Sequence, residues 1–475
     1  MTHLAARSPT PLLDDVHARL SATRVAAVVR PRGLEDLCAL VRTARAADLA
    51  VSVSGGRHAM GGQPFARGAL HVDARGLAHV LELDHEQGQL EVQAGAQWPA
   101  VLDALRRLQP RGRRWGLRQK QTGADRLTVA GAVSANAHGR VLGRPPFVAD
   151  VEALTLVDAG GTPRRVDRQR EPRLFAHAVG GYGLFGLLYS VRLRLAPLSV
   201  LRREVRDAEA DEVVARLEQA AREGCPQGDF QFAVDPRDAG FLRRGVLSCY
   251  RPVEGARPDR AARLALGPQD WKELLRLAHT DKRAAFARYR AHYLASDGQL
   301  YDSDEVQSGF AVDGAHEALE REGRLPGGSE MISELYVPRA RLADFLAAAA
   351  RELRRRAADV VYGTVRLIEA ERETALAWAR EPWACVVLNL HLDHAPGPLA
   401  RGRAAFRALI DLALERGGSY HLTYHRWARP AQLRAAHPGI DAFLAEKRRR
   451  DPEGRFQSEW YRHVARQVDP RAGGS

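Results

Sequence analysis

Cysteine is scarce in this chain: Cys38, Cys225, Cys249 and Cys385 are the only four among 475 residues. They share no close spacing, which excludes a zinc-ribbon pattern and a dense disulfide framework. A reducing, cytoplasmic setting is expected. No apolar run reaches the roughly 18 residues of a membrane-spanning helix, so no membrane span is expected. The first twenty residues lack a charged start followed by an apolar block, so no signal peptide is expected. Aromatic residues make up only 7%, and no segment interleaves them with basic residues. Nucleic-acid binding is therefore not expected. What the chain does have is charge, 27% charged residues with a net charge of +13. The arginines are spread along its whole length, as solvated helix faces would place them. The length calls for two domains.

The first 200 residues alternate short strands and helices. Residues 24–29 read as a strand. Residues 34–49 place Leu37, Leu40, Val41 and Ala44 on one helical face. Residues 97–108 read as a helix with Pro99 in its first turn and Trp98, Val101, Leu102, Leu105 and Leu108 at helical spacing. Beyond residue 200, helices are expected at 208–222, 340–356 and 400–416. Strands are expected at 229–234, 244–250, 330–337, 362–370 and 384–394. That order predicts an antiparallel sheet covered by helices. The stretch "RLPGG" (324–328) reads as a loop at the edge of a lid.

Residues 181–186, "GYGLFG", fit the dinucleotide pattern G-x-G-x-x-G. A helix is predicted before them and a strand after them, the reverse of the order a Rossmann site requires. The pattern is informative only as the third of three glycine segments in series. The first is "SGGRHAMGGQ" (54–63) and the second "TGADRLTVAGAVSANAHGR" (122–140). Small residues at such turns let backbone amides approach a pyrophosphate.

Together, over residues 20–198, the three segments resemble the flavin domain of the vanillyl-alcohol oxidase, or p-cresol methylhydroxylase (PCMH-type), family. The resemblance is nearest to the sugar-lactone and alditol oxidases. It implies an α+β, two-domain PCMH-type fold with an antiparallel-sheet cap flanked by helices. The flavin domain would span 20–198, the cap 199–430, and 431–475 would return to the flavin domain. The implied cofactor is FAD. Its contacts in the first segment would be Ser54, Gly55, Gly56, Arg57, His58, Ala59, Gly62 and Gln63. In the second they would be Thr122, Gly123, Asp125, Thr128, Gly131, Ser134, Asn136, His138 and Gly139. In the third they would be Gly181, Gly186 and Leu187. "GGRHAM" is similar to the turn whose histidine, in those oxidases, is covalently bonded to a flavin ring methyl. His58 stands at that place; a histidine that only hydrogen-bonds near the flavin is the alternative. A second, cysteinyl bond from the second segment is excluded, because no cysteine lies between 39 and 224.

The second half resembles the caps of the same oxidases more loosely. On 330–337 the strand period puts Glu330, Ile332, Glu334 and Tyr336 on one face. "TVR" (364–366) follows the lactone-oxidase "E-V-R" strand, with Thr364 replacing the acid. On 384–394, Asn389, His391 and Asp393 alternate with leucines, as in a lined cavity; a face meeting solvent is the alternative. His391 and Asp393 would share that face without His394, so no metal site is expected. "GGSYHLTYHRW" (417–427) falls where the relatives carry "H-W-G-K"; the lysine is absent, with Tyr424 and His425 in its neighbourhood.

The expected reaction is oxidation of a CH–OH group of a sugar, polyol or lactone, with hydride passing to flavin N5 and oxygen or another acceptor reoxidising the flavin. His391 is the first candidate base and His425 the second. Glu334 and Arg366 would orient the substrate, and Asn389 and Tyr424 would hold hydroxyls. The alternatives are a flavin-dependent reductase of a carbon–carbon double bond, as in the sterol-reductase relatives, and a flavin-binding protein without turnover. The expected partner is a small-molecule substrate. The sequence does not set the oligomeric state.

Overall fold

The computed structural model describes residues 10–109, 114–306 and 314–469. Two sheets build the N-terminal part. A parallel sheet has Leu70–Asp73 at its centre, between Ala27–Val29 and Val51–Ser54. An antiparallel sheet runs in the order Pro163–Asp167, Val151–Val157, Leu187–Pro197, Gln89–Gln93, Val80–Asp84. The short strand Trp115–Leu117 pairs with the far end of Leu187–Pro197. The helix Leu34–Ala46 buries Leu37, Cys38, Val41 and Ala44. The helix Trp98–Leu108 buries Trp98, Val101, Leu102 and Leu105, but Leu108, expected inside, is 52% exposed at its end.

The "GYGLFG" turn joins the helix Pro172–Ala178 to the strand Leu187–Pro197, the order that argued against a Rossmann site. Near the C-terminus the chain returns to the parallel sheet. Val51 N donates to the Arg455 carbonyl at 2.6 Å, and Gln457 N donates to the Val51 carbonyl at 2.9 Å. Trp460, fully buried, packs on Tyr182.

The second half is one antiparallel sheet of eight strands. Its order is Leu300–Asp302, Val200–Glu209, Arg244–Pro252, Gln227–Phe232, Val360–Ile368, Trp383–Leu392, Ser329–Pro338, Ser419–Tyr420. Alternation divides the work of Ser329–Pro338. Met331, Leu335 and Val337 are buried in the core with Phe345 of the helix Leu342–Arg355 and Phe406 of Pro396–Leu414. Each such side chain contributes about 1.5–3 kcal/mol. Glu330, Ile332 and Glu334 point to the opposite face and line a cavity.

That face is also covered by two helices that the sequence reading did not identify, Pro268–Thr280 and Lys282–Ala295. The first has Pro268 at its first turn, and Asp270 accepts from the Gly267 N–H at 3.0 Å. The second is capped by Asp281, which accepts from Ala284 N at 3.0 Å.

The strand Val200–Glu209 is a further departure, since a helix was expected from 208; the helix is Val213–Arg222. An inward arginine disguises the strand's alternation. Arg203 is buried with its guanidinium 5.3, 4.9 and 4.8 Å from the ring centres of Tyr250, Tyr293 and Tyr301.

Candidate active site

The three glycine segments are joined to one another. Gly180 N donates to the Val133 carbonyl at 2.9 Å, and Tyr182 N to the Ser134 carbonyl at 3.0 Å, tying the third segment to the second. The first meets the second so closely that only glycine fits. A Cβ on Gly55 would lie 2.0 Å from Thr128 Oγ1, and one on Gly56 would lie 2.3 Å from the Arg126 carbonyl oxygen. Each segment holds one non-glycine residue in the left-handed region: Arg57 at φ 62°, Asn136 at φ 44° and Tyr182 at φ 52°. Such conformations persist where the surroundings over-determine them, often at a ligand clamp. The cap is fastened to the same cradle, because the Thr423 carbonyl accepts from both Met60 N and Gly61 N at 3.1 Å.

Between cradle and cap lies a cavity of about 310 Å³. From the first segment Ser54, Gly55, Gly56, Arg57, His58, Ala59 and Gln63 line it. From the second come Thr122, Gly123, Thr128, Gly131, Ser134 and His138, and from the third Gly186. Six residues expected at the cofactor stand off its wall. Asp125 pairs with the buried Lys120 at 2.6 Å. Asn136 donates to Glu371 at 3.2 Å and accepts from Val148 N at 2.9 Å, so it braces the second segment from behind. Gly62 faces Arg426 and Glu459. Gly181 packs on the His177 carbonyl, and Leu187 is a core residue opening its strand. Gly139 is off the wall as well, although its carbonyl contacts His138 Nδ1 at 3.0 Å. The sequence reading missed His17, Tyr182, Gly183 and Ala94, which do line the cavity. Of these, Tyr182 and Gly183 lie inside the third segment and could have been named from it.

The cavity wall suits a polar dinucleotide. Thr122 Oγ1 and Arg57 Nε are buried on it without a hydrogen-bond partner. His58 Nδ1 contacts His17 Nε2 at 2.8 Å. Its Nε2 is buried beside the Arg126 carbonyl with no well-formed hydrogen bond. Burial pushes the His58 pKa down to about 4, so the ring is neutral. These atoms, and the glycines that keep the floor low, fit the pyrophosphate and ring of FAD.

The cap supplies the opposite wall. Of the six residues expected in catalysis, Glu334, Arg366, Asn389 and Tyr424 line the cavity and His391 and His425 do not. His391 lies one pair further along the sheet, opposite Glu330, among His279 and His316. His425 is fully enclosed, stacked on Tyr420 and edge-on to Phe406, and burial pushes its pKa down to about 3. Neither placement suits the base of a reaction in this cavity. His421, passed over in the sequence, does line it. It is buried and neutral, its pKa lowered to about 4 by burial. One nitrogen contacts Thr423 Oγ1 at 3.0 Å, and Nδ1 has no partner.

Glu334 organises this wall. Its Oε1 accepts from His138 Nε2 at 2.8 Å and from Tyr336 by a short hydrogen bond, and its Oε2 accepts from Tyr424 at 3.0 Å. Burial, the largest influence, would raise its pKa. The neighbouring His138 and the donated hydrogen bonds outweigh burial and hold the carboxyl well below its usual range. The register brings an acid into the row of Thr364. Thr364, Val387 and Glu334 form one cross-strand row, so the carboxylate stands two strands away on the same face. Arg366 Nε and Asn389 Oδ1 are buried on this wall without partners.

The comparisons with known proteins agree with this geometry. The FAD binding domain family matches residues 25–167. L-gulono-1,4-lactone dehydrogenase of Mycobacterium tuberculosis is 24% identical over 441 residues, 92% of this chain and 95% of that protein. Cytokinin dehydrogenase 6 of Oryza sativa subsp. japonica is 29% identical over 229 residues, 45% of this chain and 41% of that protein. Cytokinin dehydrogenase 2 of the same plant is 30% identical over 198 residues, 40% and 34% of the two chains. No helix among the described residues is long and apolar enough to cross a membrane. Residues 25–167 thus carry an FAD-binding domain of the PCMH type, which marks a flavin-dependent oxidoreductase, and the chain is similar both to a lactone dehydrogenase and to cytokinin dehydrogenases.

Proposed function

We propose that this protein oxidises a CH–OH group of a sugar, polyol or lactone. The observation that carries this reading is the polar cap wall, where Arg366, Asn389 and His421 line one cavity and each keeps a buried atom, Nε, Oδ1 and Nδ1, without a hydrogen-bond partner. Buried polar atoms left without partners are costly, about 1–3 kcal/mol each, unless a ligand completes them. An oxygen-rich substrate does so. The similarity to a lactone dehydrogenase over nearly the whole chain supports the same choice.

FAD held by the glycine cradle would supply the two-electron acceptor for the hydride, with oxygen or another acceptor as the final oxidant. Arg366 and Asn389 hold substrate oxygens, and Tyr424 offers its own oxygen while donating to Glu334. His421 accepts the hydroxyl proton at Nδ1. A neutral imidazole of low pKa is a weak base, but a hydroxyl becomes strongly acidic as hydride leaves its carbon. The negative Glu334 nearby favours the resulting imidazolium. We further propose that His58 tethers the flavin. It is neutral, buried and on the cavity wall.

Two measurements test this. Acid precipitation of the purified protein should carry yellow colour into the pellet, and His58→Ala should release it. Colour in the wild-type supernatant rejects the tether alone. Anaerobic mixing with polyols and sugar lactones should bleach the flavin. Bleaching by reduced nicotinamide, followed by recovery with an unsaturated substrate, would instead establish a double-bond reductase. Bleaching by a cytokinin alone would reject the CH–OH donor.

A further inference from the structure

Beyond the flavin cavity, three imidazoles meet from three elements. His279 lies in the last turn of Pro268–Thr280, His316 in the first turn of Ala315–Arg321, and His391 on Trp383–Leu392. Their ring centres are 5.3 Å (His279–His316), 5.0 Å (His279–His391) and 5.4 Å (His316–His391) apart. A ring nitrogen of each lies within 4.8 Å of one on each of the others. Glu330, directly across from His391, accepts from His279 Nε2 at 3.0 Å and His316 Nδ1 at 3.2 Å.

Each ring also keeps one buried nitrogen without a hydrogen-bond partner: His279 Nδ1, His316 Nε2 and His391 Nδ1. A neutral ring that donates to Glu330 has its lone pair on the other nitrogen. His279 and His316 are two such rings, and with His391, whose Nδ1 is also unpartnered, they are poorly arranged for hydrogen bonding and better arranged for coordination. Nothing in the reaction above uses them.

We propose that His279, His316 and His391 bind a divalent transition-metal ion of the zinc class, with Glu330 as the adjoining carboxylate. Imidazole donors suit zinc and its neighbours, whereas magnesium and calcium require oxygen. A tetrahedral ion with nitrogen ligands near 2.0 Å brings the nitrogens to about 3.3 Å from one another. Binding therefore requires side-chain rotations that bring the nitrogens from within 4.8 Å to that spacing. A carboxylate bonded to ligating histidines fixes their tautomers and orientation.

The position gives the ion a role. Glu330 and Asn389 line both the flavin cavity and a second cavity of about 230 Å³, whose wall is largely apolar. Asn389 Nδ2 donates to Glu330 Oε2 at 3.1 Å. An ion on the three imidazoles would therefore fix the partition between the two cavities, and with it the orientation of Asn389 toward substrate.

The test uses the flavin-loaded protein without a histidine tag, stripped with chelator and titrated with Co²⁺. Ligand-field bands of tetrahedral Co²⁺ fall in the red, clear of flavin absorption. One equivalent should saturate them, Zn²⁺ should displace them, and Zn²⁺ should raise the unfolding temperature of the stripped protein. His279→Gln and His391→Gln should each weaken Co²⁺ binding about tenfold or more while retaining flavin. His425→Phe should leave the titration unchanged. Absence of the bands in the wild-type protein overturns the proposal whatever the variants do. Bands of equal strength in the wild type and both glutamine variants also overturn it, since they mark adventitious surface binding. Neither outcome depends on which substrate is oxidised.

Discussion

Glu334 and Glu330 stand four residues apart on one face of one strand, and both carboxyls are held well below their usual range against the pull of burial. Their surroundings differ. Glu334 is saturated by His138 and two tyrosines inside the flavin cavity. Glu330 sits on the partition, held by His279, His316 and Asn389. Glu334 has two hydroxyl donors and one imidazole around it, which leave the carboxylate fixed on the cavity wall. Glu330 has two imidazoles, each with a second, unpartnered nitrogen. The same residue type on one strand thus stands in two different settings, and its neighbours decide which.

The largest effect expected is one that removes the first site and spares the second. Gly56→Ala drives a Cβ to within 2.3 Å of a backbone oxygen that cannot move aside cheaply. The purified variant should lack flavin absorbance yet titrate with Co²⁺ like the wild type. Next comes Glu334→Gln, expected to slow flavin bleaching by substrate about 100-fold with flavin content intact. Glu330→Gln should change that rate far less. Equal losses in the two would erase the distinction between the carboxylates.

Arg366→Lys is expected to raise KM about tenfold with a smaller change in kcat, because lysine cannot reproduce a planar fork. Steady-state kinetics on the identified substrate read this split.

The smallest effect is on stability in acid. His421, His425 and His437 are buried with pKa values lowered to about 4, 3 and 3, below the unfolded value of 6.5. The unfolded chain binds protons on them first. Their contribution is therefore complete above pH 6.5 and is lost as pH falls toward the folded values. Each removes up to about 1.4 kcal/mol per pH unit in that window. Carboxylates depressed in the fold, Glu330 and Glu334 among them, lose their contribution only below about 4.5, whereas Asp15 and Asp304, raised by burial to about 6, add stability as pH falls through that value. Chemical denaturation between pH 7 and 5 should show the net of these opposing slopes, and His425→Phe should lessen the loss of stability as pH falls.

How much of this was legible beforehand follows from the range of the interactions. The glycine segments are local signals, since a turn that must admit a close neighbour needs glycine wherever the neighbour comes from. Fourteen of the residues named from them line the cavity. The face of Ser329–Pro338 was legible too, because period two is a property of the strand itself. The base was not. His391 and His425 carry the right chemistry in the right part of the chain, but one is a single pair too far along the sheet and the other is packed among Tyr420 and Phe406. Strand Val200–Glu209 escaped notice because the tyrosines that make an inward Arg203 acceptable lie on other elements.

By itself, the sequence determined the three glycine turns, the strands and helices around them and the polar faces of Ser329–Pro338 and Trp383–Leu392; the cofactor class came from their resemblance to a known family. The turns and faces follow from turn chemistry and periodicity, which act between near neighbours. Tertiary structure alone decided that Glu334 shares a cross-strand row with Thr364, that His421 rather than His391 lines the flavin cavity, and that three distant histidines meet. Each of these depends on register and docking between segments far apart in the chain, and no local pattern of residues encodes such distances.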